Sequence, residues 1–258
     1  MKLIQFSQPP LFKFCPPEYD ITTGCNTLRV GTLWGFRSEE NDHLRDEGEG
    51  TFEYRIAFPK PTHVSRDWIS EFEVEDSGKA HIEHLSFNNG SVSTTGITLS
   101  GSSHNCWIFC VSTSGNAAGN ISTTHENKWK IPAEKVQEFG SLLASLLWES
   151  ITFDDLPKSL VDRHSIQQIS SGLGLEAVFR NVDYVDREIL INSENDFPIE
   201  RIRELKRSIP FIKPKKFCSE QEFRFAFFLT FKQQRISVSS PAKILNLRQI
   251  DQFVVRTE

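Results

Sequence analysis

Two glutamates stand one residue apart in the stretch FCSEQEFRFAF, residues 217–227. Side chains at positions i and i+2 of a strand share a face, so Glu220 and Glu222 are predicted to converge on one target. Arg224 continues that face and supplies a nearby cation. A carboxylate held ionised in this way can stabilise a developing positive charge or accept a ribose hydroxyl. The alternative is a solvated edge strand whose carboxylates face water.

A second group of polar side chains ends an apolar run in FCVSTSG, residues 109–115. The hydroxyls of Ser112, Thr113 and Ser114 run into Gly115, where the backbone can approach a ligand closely. A Ser/Thr-rich turn is the alternative interpretation. The stretch lacks the G-x-S-x-G pattern of a nucleophile turn, which argues against a serine hydrolase.

The segment from 39 to 49 is rich in carboxylates but does not have the ligand spacing of an EF-hand loop. An exposed, ion-paired loop is the favoured interpretation, and no metal is expected. The five cysteines are scattered and repeat no C-x-x-C spacing, which predicts reduced thiols.

The elements that must position these residues follow from hydrophobic periodicity. Strands are predicted in the first half of the chain, where short runs rich in β-branched and aromatic residues alternate with polar ones. The predicted runs are 10–15, 26–36, 50–58, 69–76, 80–87, 91–100 and 105–113. A further strand is predicted at 222–231, and helices are predicted within 130–150, at 155–170 and at 198–208. The expected fold is α+β and mostly antiparallel, in a single domain over residues 1–258.

Charge is unevenly distributed along the 258 residues. Residues 200–258 carry thirteen Lys and Arg against six Asp and Glu, so that segment is +7 and the remainder is −12. This asymmetry suits a phosphorylated small molecule or a nucleic-acid contact on one face, and a solvated basic face is the alternative. The apolar runs are too short to cross a bilayer, and the first residues do not have the pattern of a signal peptide. A cytoplasmic protein without membrane contact is expected.

Taken in chain order, these pieces resemble a bacterial family, domain of unknown function 2971. The resemblance is carried by LFKF, TLRVGTLWGFR, RDEGEG, WIFCVSTS and KPKKFCSEQEFRF, and it covers most of the chain in outline. That family is similar to the ADP-ribosyltransferase fold. The resemblance implies small, mostly antiparallel sheets set at an angle, with packed helices and NAD in the cleft between the sheets.

The resemblance also implies roles for particular residues. Glu222 would hydrogen-bond the ribose and stabilise the oxocarbenium-like transition state, while Glu220 would orient or deprotonate the acceptor. The serine motif of Ser112, Thr113 and Ser114 would shape the nicotinamide pocket.

The first-strand position of the family, expected to be Arg or His, is occupied here by Lys13, unless Arg29 takes the role from the next strand. Lysine interacts with a phosphate as a point charge and cannot make the paired hydrogen bonds of a planar guanidinium. This departure puts turnover in question, but not the fold.

Three functions are therefore weighed. The first is an NAD-dependent mono-ADP-ribosyltransferase that uses NAD as a substrate and modifies a macromolecular acceptor, protein or nucleic acid, in toxin or antiphage conflict. The second is a binding or regulatory module of the same fold that has lost turnover and holds a nucleotide or nucleic acid. The third is a metal-dependent nuclease built from the acidic 39–49 segment.

Overall fold

The chain packs as two compact units. Unit 1 comprises Met1–Glu47, Asn105–Val182 and Lys216–Glu258, and unit 2 comprises Gly48–His104 and Asp183–Lys215. The single domain expected over residues 1–258 stays a prediction. The computed structural model describes residues 9–38, 45–72, 79–88, 91–116, 124–247 and 252–257.

Unit 1 is built on one large sheet. Among the described residues this sheet has nine strands: β1 (Leu11–Cys15), β2 (Thr27–Thr32), β6 (Trp107–Ser112), β7 (Asn127–Ile131), β8 (Leu173–Asn181), β12 (Glu222–Phe231), β13 (Gln234–Ile236), β14 (Ala242–Asn246) and β15 (Val255–Arg256). Its main path runs β13-β12-β6-β1-β7-β15, while β8 pairs with β12 and β2 links β6 to β14. The strand pairings recorded within it are antiparallel.

One face of this sheet packs on a helix and forms the core of unit 1. Helix α2 (Val136–Ser150) buries Phe139, Leu143 and Leu147 against aromatic residues of β6, β7 and β12. Burying each such side chain contributes about 2 kcal/mol of hydrophobic stabilisation. Gly140 allows the close approach, because a Cβ at that position would lie 2.4 Å from the Phe179 ring of β8.

Unit 2 holds a smaller sheet and a strand pair. Its elements are β3 (Thr51–Ser65), β4 (Lys79–Asn88), β5 (Ser91–Ser102), β9 (Asp183–Tyr184), β10 (Glu188–Ile191), β11 (Ile212–Lys213), α1 (Arg66–Ser70) and α5 (Ile199–Ser208). The described strands run in the order β10-β3-β5-β4, and β11 pairs with β9. The β10–β3 and β11–β9 pairs are parallel, whereas β3–β5 and β4–β5 are antiparallel.

The predicted α+β class with mostly antiparallel sheets is confirmed. The helices predicted within 130–150 and at 198–208 are present, and the one predicted at 155–170 is two short helices, α3 (Lys158–Val161) and α4 (Ile166–Gly172). The strand predicted at 69–76 is wrong at its start. Ile69 and Ser70 end helix α1, which the Ser65 hydroxyl caps by accepting from the Trp68 amide, and residues 73–76 lie outside the described residues.

Candidate functional site

The candidate site begins where strands β6 and β12 lie side by side. Glu222, the first residue of β12, stands directly opposite Ser112, the last residue of β6. Residues that pair across an antiparallel ladder share a face, so both side chains project from the face opposite the α2 core. We call this the polar face of the unit 1 sheet.

Glu222 is buried rather than solvated. Strand β12 has β6 on one side and β8 on the other, and the Glu222 side chain is only 5% exposed. The interpretation of a solvated edge strand is therefore wrong. The central position of β12 holds the carboxylate rigidly.

Glu222 forms an ion pair with Arg224, as the strand alternation predicts. The Arg224 Nε lies 2.6 Å from Glu222 Oε1, and its Nη2 lies 3.4 Å from Oε2. Arg224 is 1% exposed, so both charges are removed from water. Such a pair is held because either charge alone would be costly to bury.

Glu220 does not share a strand face with Glu222, and that expectation is wrong. Glu220 ends a 3₁₀ helix over Lys215–Glu220, and the next residue, Gln221, has a positive φ of 46°. The chain therefore turns between the two glutamates, and the two-residue period of a strand does not apply. Glu220 is nevertheless buried, at 8% exposure.

The serine motif fixes this turn. The buried Ser112 hydroxyl donates to the Glu220 carbonyl oxygen at 2.8 Å and accepts from the Ser114 amide at 3.0 Å. The Thr113 amide and hydroxyl both donate to the Gln221 carbonyl, at 2.8 and 3.1 Å. Ser112 and Thr113 thus hold the backbone that presents Glu222, a role beyond that of a loose Ser/Thr-rich turn.

Lys13 occupies a fork in the sheet. Strand β1 pairs with β6 at Ser112 and strand β2 pairs with it at Ile108 and Trp107, so residues 109–111 lie between the two ladders. The Lys13 ammonium reaches into this gap and donates to the Cys110 carbonyl at 2.9 Å. Burial lowers the pKa of Lys13 from its usual value.

Arg29 lies on β2 across the same fork. Its neighbours Leu28 and Val30 belong to the core, so the exposed Arg29 side chain projects from the polar face. Its charge is close enough to contribute to the lowered pKa of Lys13. Arg29 is therefore better placed than Lys13 to meet a ligand in solution.

Two residues of the polar face were not predicted from the sequence as site residues. Cys110 and Arg180 stand on either side of Arg224, in β6 and β8 respectively. The Cys110 thiol is hydrogen-bonded to Glu222, and burial, followed by the Glu222 charge, raises its pKa well above the usual value. Alternation in LGLEAVFRN, the sequence of β8, was a usable strand signal, but its register with β12 was not readable.

The acidic segment gives no metal site in the part that can be described. Residues 39–44 lie outside the described residues, and Glu49 forms an ion pair with Arg187 at 3.6 Å. Within the described residues no group of three or more His, Cys, Asp or Glu side chains is arranged to hold a metal ion. No helix in that same part of the chain is long and apolar enough to cross a membrane.

Comparison with known proteins gives no relative, since no family model, curated protein or solved structure matches this chain.

Proposed function

We propose that this protein is an NAD-dependent mono-ADP-ribosyltransferase, with unit 1 as an ADP-ribosyltransferase-like domain. The observation that carries the proposal is the placement of Glu222 at the start of β12, opposite Ser112 at the end of β6. Strand β1, with Lys13, lies on the other side of β6. The three sequence motifs that the resemblance requires thus lie on three neighbouring strands of one sheet.

The reaction proposed for this site is displacement at the ribose C1′ of NAD. The glycosidic bond to nicotinamide breaks, and its electron pair leaves with the nicotinamide nitrogen. The acceptor nucleophile forms the new bond to C1′ and loses its proton, for which the Glu220 carboxylate is the proposed base. Glu222 stabilises the positive charge that develops on the sugar ring between these events.

Arg224 suits Glu222 to this role. The paired guanidinium favours the ionised form of the carboxylate. A carboxylate has about four acceptor positions on its two oxygens, and the ribose hydroxyl is proposed to donate to one of them. Glu222 is thereby held as an anion in a fixed orientation.

The phosphate-binding role falls to Arg29 rather than Lys13 in this proposal. The Lys13 ammonium already donates to the Cys110 carbonyl and lies 4.9 Å from the Phe109 ring centre. Arg29 is exposed, and its planar guanidinium can donate two parallel hydrogen bonds to phosphate oxygens. The acceptor is proposed to be a macromolecule, either protein or nucleic acid.

The test is incubation with NAD labelled in both the nicotinamide and the adenine. The wild-type protein is expected to release nicotinamide and to transfer the adenine label to a component of a cell lysate. Glu222→Gln is expected to lower release by at least a hundredfold, because a neutral amide cannot offset the developing charge. Glu176→Gln removes an exposed carboxylate of the same sheet and serves as the matched control. Equal release by Glu222→Gln and wild type would overturn the proposal.

A second function is favoured by one specific observation. Glu222 is already neutralised by Arg224, and the first-strand cation Lys13 is committed to a backbone carbonyl. This ion pair and this hydrogen bond favour a binding module of the same fold that holds a nucleotide without turnover. Thermal stabilisation by ADP-ribose or NAD, with no nicotinamide released, would select this alternative.

A further inference from the structure

Strand β8 lies at an edge of the unit 1 sheet. It pairs with β12 along its whole length, from Leu173 to Asn181, and with no other strand among the described residues. The pairing runs without a bulge, and the strand contains no proline. Bulges, prolines and short length are among the features that keep edge strands from pairing with another chain. Strand β8 has none of these three.

Hydrogen bonds at both ends of β8 show which of its backbone groups face β12. The Val182 amide donates to the Glu222 carbonyl at 2.9 Å, and the Lys232 amide donates to the Gly172 carbonyl at 2.8 Å. Hydrogen-bonded and non-hydrogen-bonded pairs alternate along an antiparallel ladder, so the even-numbered residues of β8 bond to β12. The odd-numbered residues therefore direct their N–H and C=O groups away from β12.

Four odd-numbered residues form what we call the free edge of β8: Leu175, Ala177, Phe179 and Asn181. In the part of the chain that the structure describes, no hydrogen bond is made to their outward N–H and C=O groups. Ala177 and Asn181 are exposed, and the other two residues are half-buried. The free edge therefore offers donors and acceptors in a regular row that another strand can use.

We propose that the free edge of β8 pairs antiparallel with the same edge of a second copy of this chain, with the two-fold axis at Val178. Leu175 then stands opposite Asn181 of the partner subunit, and Ala177 stands opposite Phe179 of the partner subunit. A two-fold axis makes each contact twice, so every outward group of the free edge is hydrogen-bonded. The inference is independent of the transferase proposal.

The Leu173 amide favours this register over its neighbours. It already donates to the Ile169 carbonyl at the end of helix α4, so Leu173 does not belong to the free edge. An axis at Ala177 would place Leu173 opposite Asn181 of the partner subunit, whose carbonyl would find that amide occupied. An axis at Phe179 would pair only residues 177–181 within the free edge. The axis at Val178 alone pairs all four residues with one another.

The side chains also suit a second copy. Leu175 and Phe179 pack against the unit 1 core, and Ala177 lies between them on the same face. On the other face Glu176 would stand opposite Arg180 of the partner subunit, so like charges are not opposed. An extended segment of another protein can also pair with a sheet edge. A second copy is favoured because its own edge carries the matching number and spacing of free groups.

The experiment measures the mass of the protein in solution by analytical ultracentrifugation. The pairing covers residues 175–181 of each copy, less than a standard interface, so a dimer that dissociates at micromolar concentration is expected. Ala177→Pro removes an outward N–H without removing a bond to β12, and it should weaken association about tenfold or more. Association of Ala177→Pro equal to that of the wild type would overturn the inference. A wild type that stays monomeric would also overturn it, and would leave an extended segment of another protein as the occupant.

Strand β14 gives the matched control. It pairs with β2 and with no other described strand. The Leu247 amide donates to the Asn26 carbonyl at 2.8 Å, so the same alternation directs the Ile244 amide away from β2. Ile244→Pro removes one outward N–H, as Ala177→Pro does, and is expected to associate like the wild type. If both variants lose association equally, the effect is not specific to the free edge of β8 and the inference falls.

Cysteine cross-linking tests the register and remains decisive if Ala177→Pro does not fold. Val178→Cys places two thiols on the two-fold axis, with Cα atoms about 4.5 Å apart, within the range of a disulfide. Glu176→Cys places its two Cα atoms about 14 Å apart, outside that range. Treatment with the thiol oxidant diamide should therefore join two chains at position 178 and not at 176, as read by mass spectrometry. No cross-link in Val178→Cys, or an equal one in Glu176→Cys, would contradict the proposed pairing.

Discussion

Two Glu–Arg pairs of the unit 1 sheet, among the residues that the structure describes, lie in different environments. Glu222 and Arg224 are 5% and 1% exposed, whereas Glu176 and Arg235 are 43% and 20% exposed. The two nitrogen–oxygen distances are nearly equal in the exposed pair, at 2.8 and 2.7 Å, and unequal in the buried pair, at 2.6 and 3.4 Å. Arg235 also stacks on Phe228, 3.6 Å from the ring centre.

The comparison shows that good geometry and a large energetic role do not coincide. An exposed pair is screened by water and contributes up to about 1 kcal/mol. A buried pair costs desolvation of both charges, and apolar residues of the same volume often stabilise a fold as well or better. Stability therefore does not explain why this sheet keeps charges at Glu222 and Arg224, and the proposed role of Glu222 as a fixed carboxylate would account for them.

The largest effect is expected from breaking the buried pair. Glu222→Gln leaves the Arg224 charge buried without its counter-ion, and the free energy of unfolding should fall by about 3–5 kcal/mol. Glu176→Gln should lower it by about 1 kcal/mol or less. Urea denaturation of both variants measures the contrast. Equal losses would mean that burial does not separate the two pairs.

Replacing the whole buried pair tests why it is kept. The double variant Glu222→Leu with Arg224→Met removes both charges, and it should recover most of the stability that Glu222→Gln loses, about 3 kcal/mol. Nicotinamide release should stay at least a hundredfold below that of the wild type, as in Glu222→Gln. Urea denaturation and the labelled-NAD assay are run on the same sample. A double variant as unstable as Glu222→Gln would show that the fold itself requires the pair.

The smallest effect is expected at the Cys110 thiol. Its pKa lies well above the usual 9.0 because of burial and the Glu222 charge, so in the wild type the reactive thiolate forms only well above pH 9. Glu222→Gln removes that negative charge, and the alkylation profile should move to lower pH, with a several-fold faster rate at pH 9. Mass spectrometry after iodoacetamide treatment measures the rate at this residue. If the alkylation profile of Cys110 moves equally in Glu176→Gln, the shift is not caused by loss of the neighbouring Glu222 charge.

Sequence periodicity was sufficient for some of the elements, β12 and α2 among them, and for one side-chain contact. The alternation in EFRFAFFLTF predicted β12 and placed Arg224 on the face of Glu222, because both depend only on neighbours along the chain. The apolar spacing of Val136–Ser150 predicted helix α2 for the same reason.

The surroundings of Glu222 could not be predicted from periodicity in the sequence. The spacing of Glu220 and Glu222 suggested one strand, but the turn at Gln221 depends on hydrogen bonds from Ser112 and Thr113, more than a hundred residues away. The inner position of β12, between β6 and β8, depends likewise on strands that are distant in the sequence. Such facts depend on register between distant strands, which no local pattern encodes.

The fork in the sheet, where β6 passes from pairing with β1 to pairing with β2, gives Lys13 a structural role that its charge alone does not indicate. Where one strand passes from one neighbour to the next, a carbonyl is left without a facing amide, and the Lys13 ammonium takes that place for Cys110. The side chain acts as a surrogate peptide N–H. Acetylation of Lys13 would therefore disturb the fork between the two ladders directly, since a bulky amide cannot occupy the position of the small ammonium. Any effect on ligand contacts would be secondary.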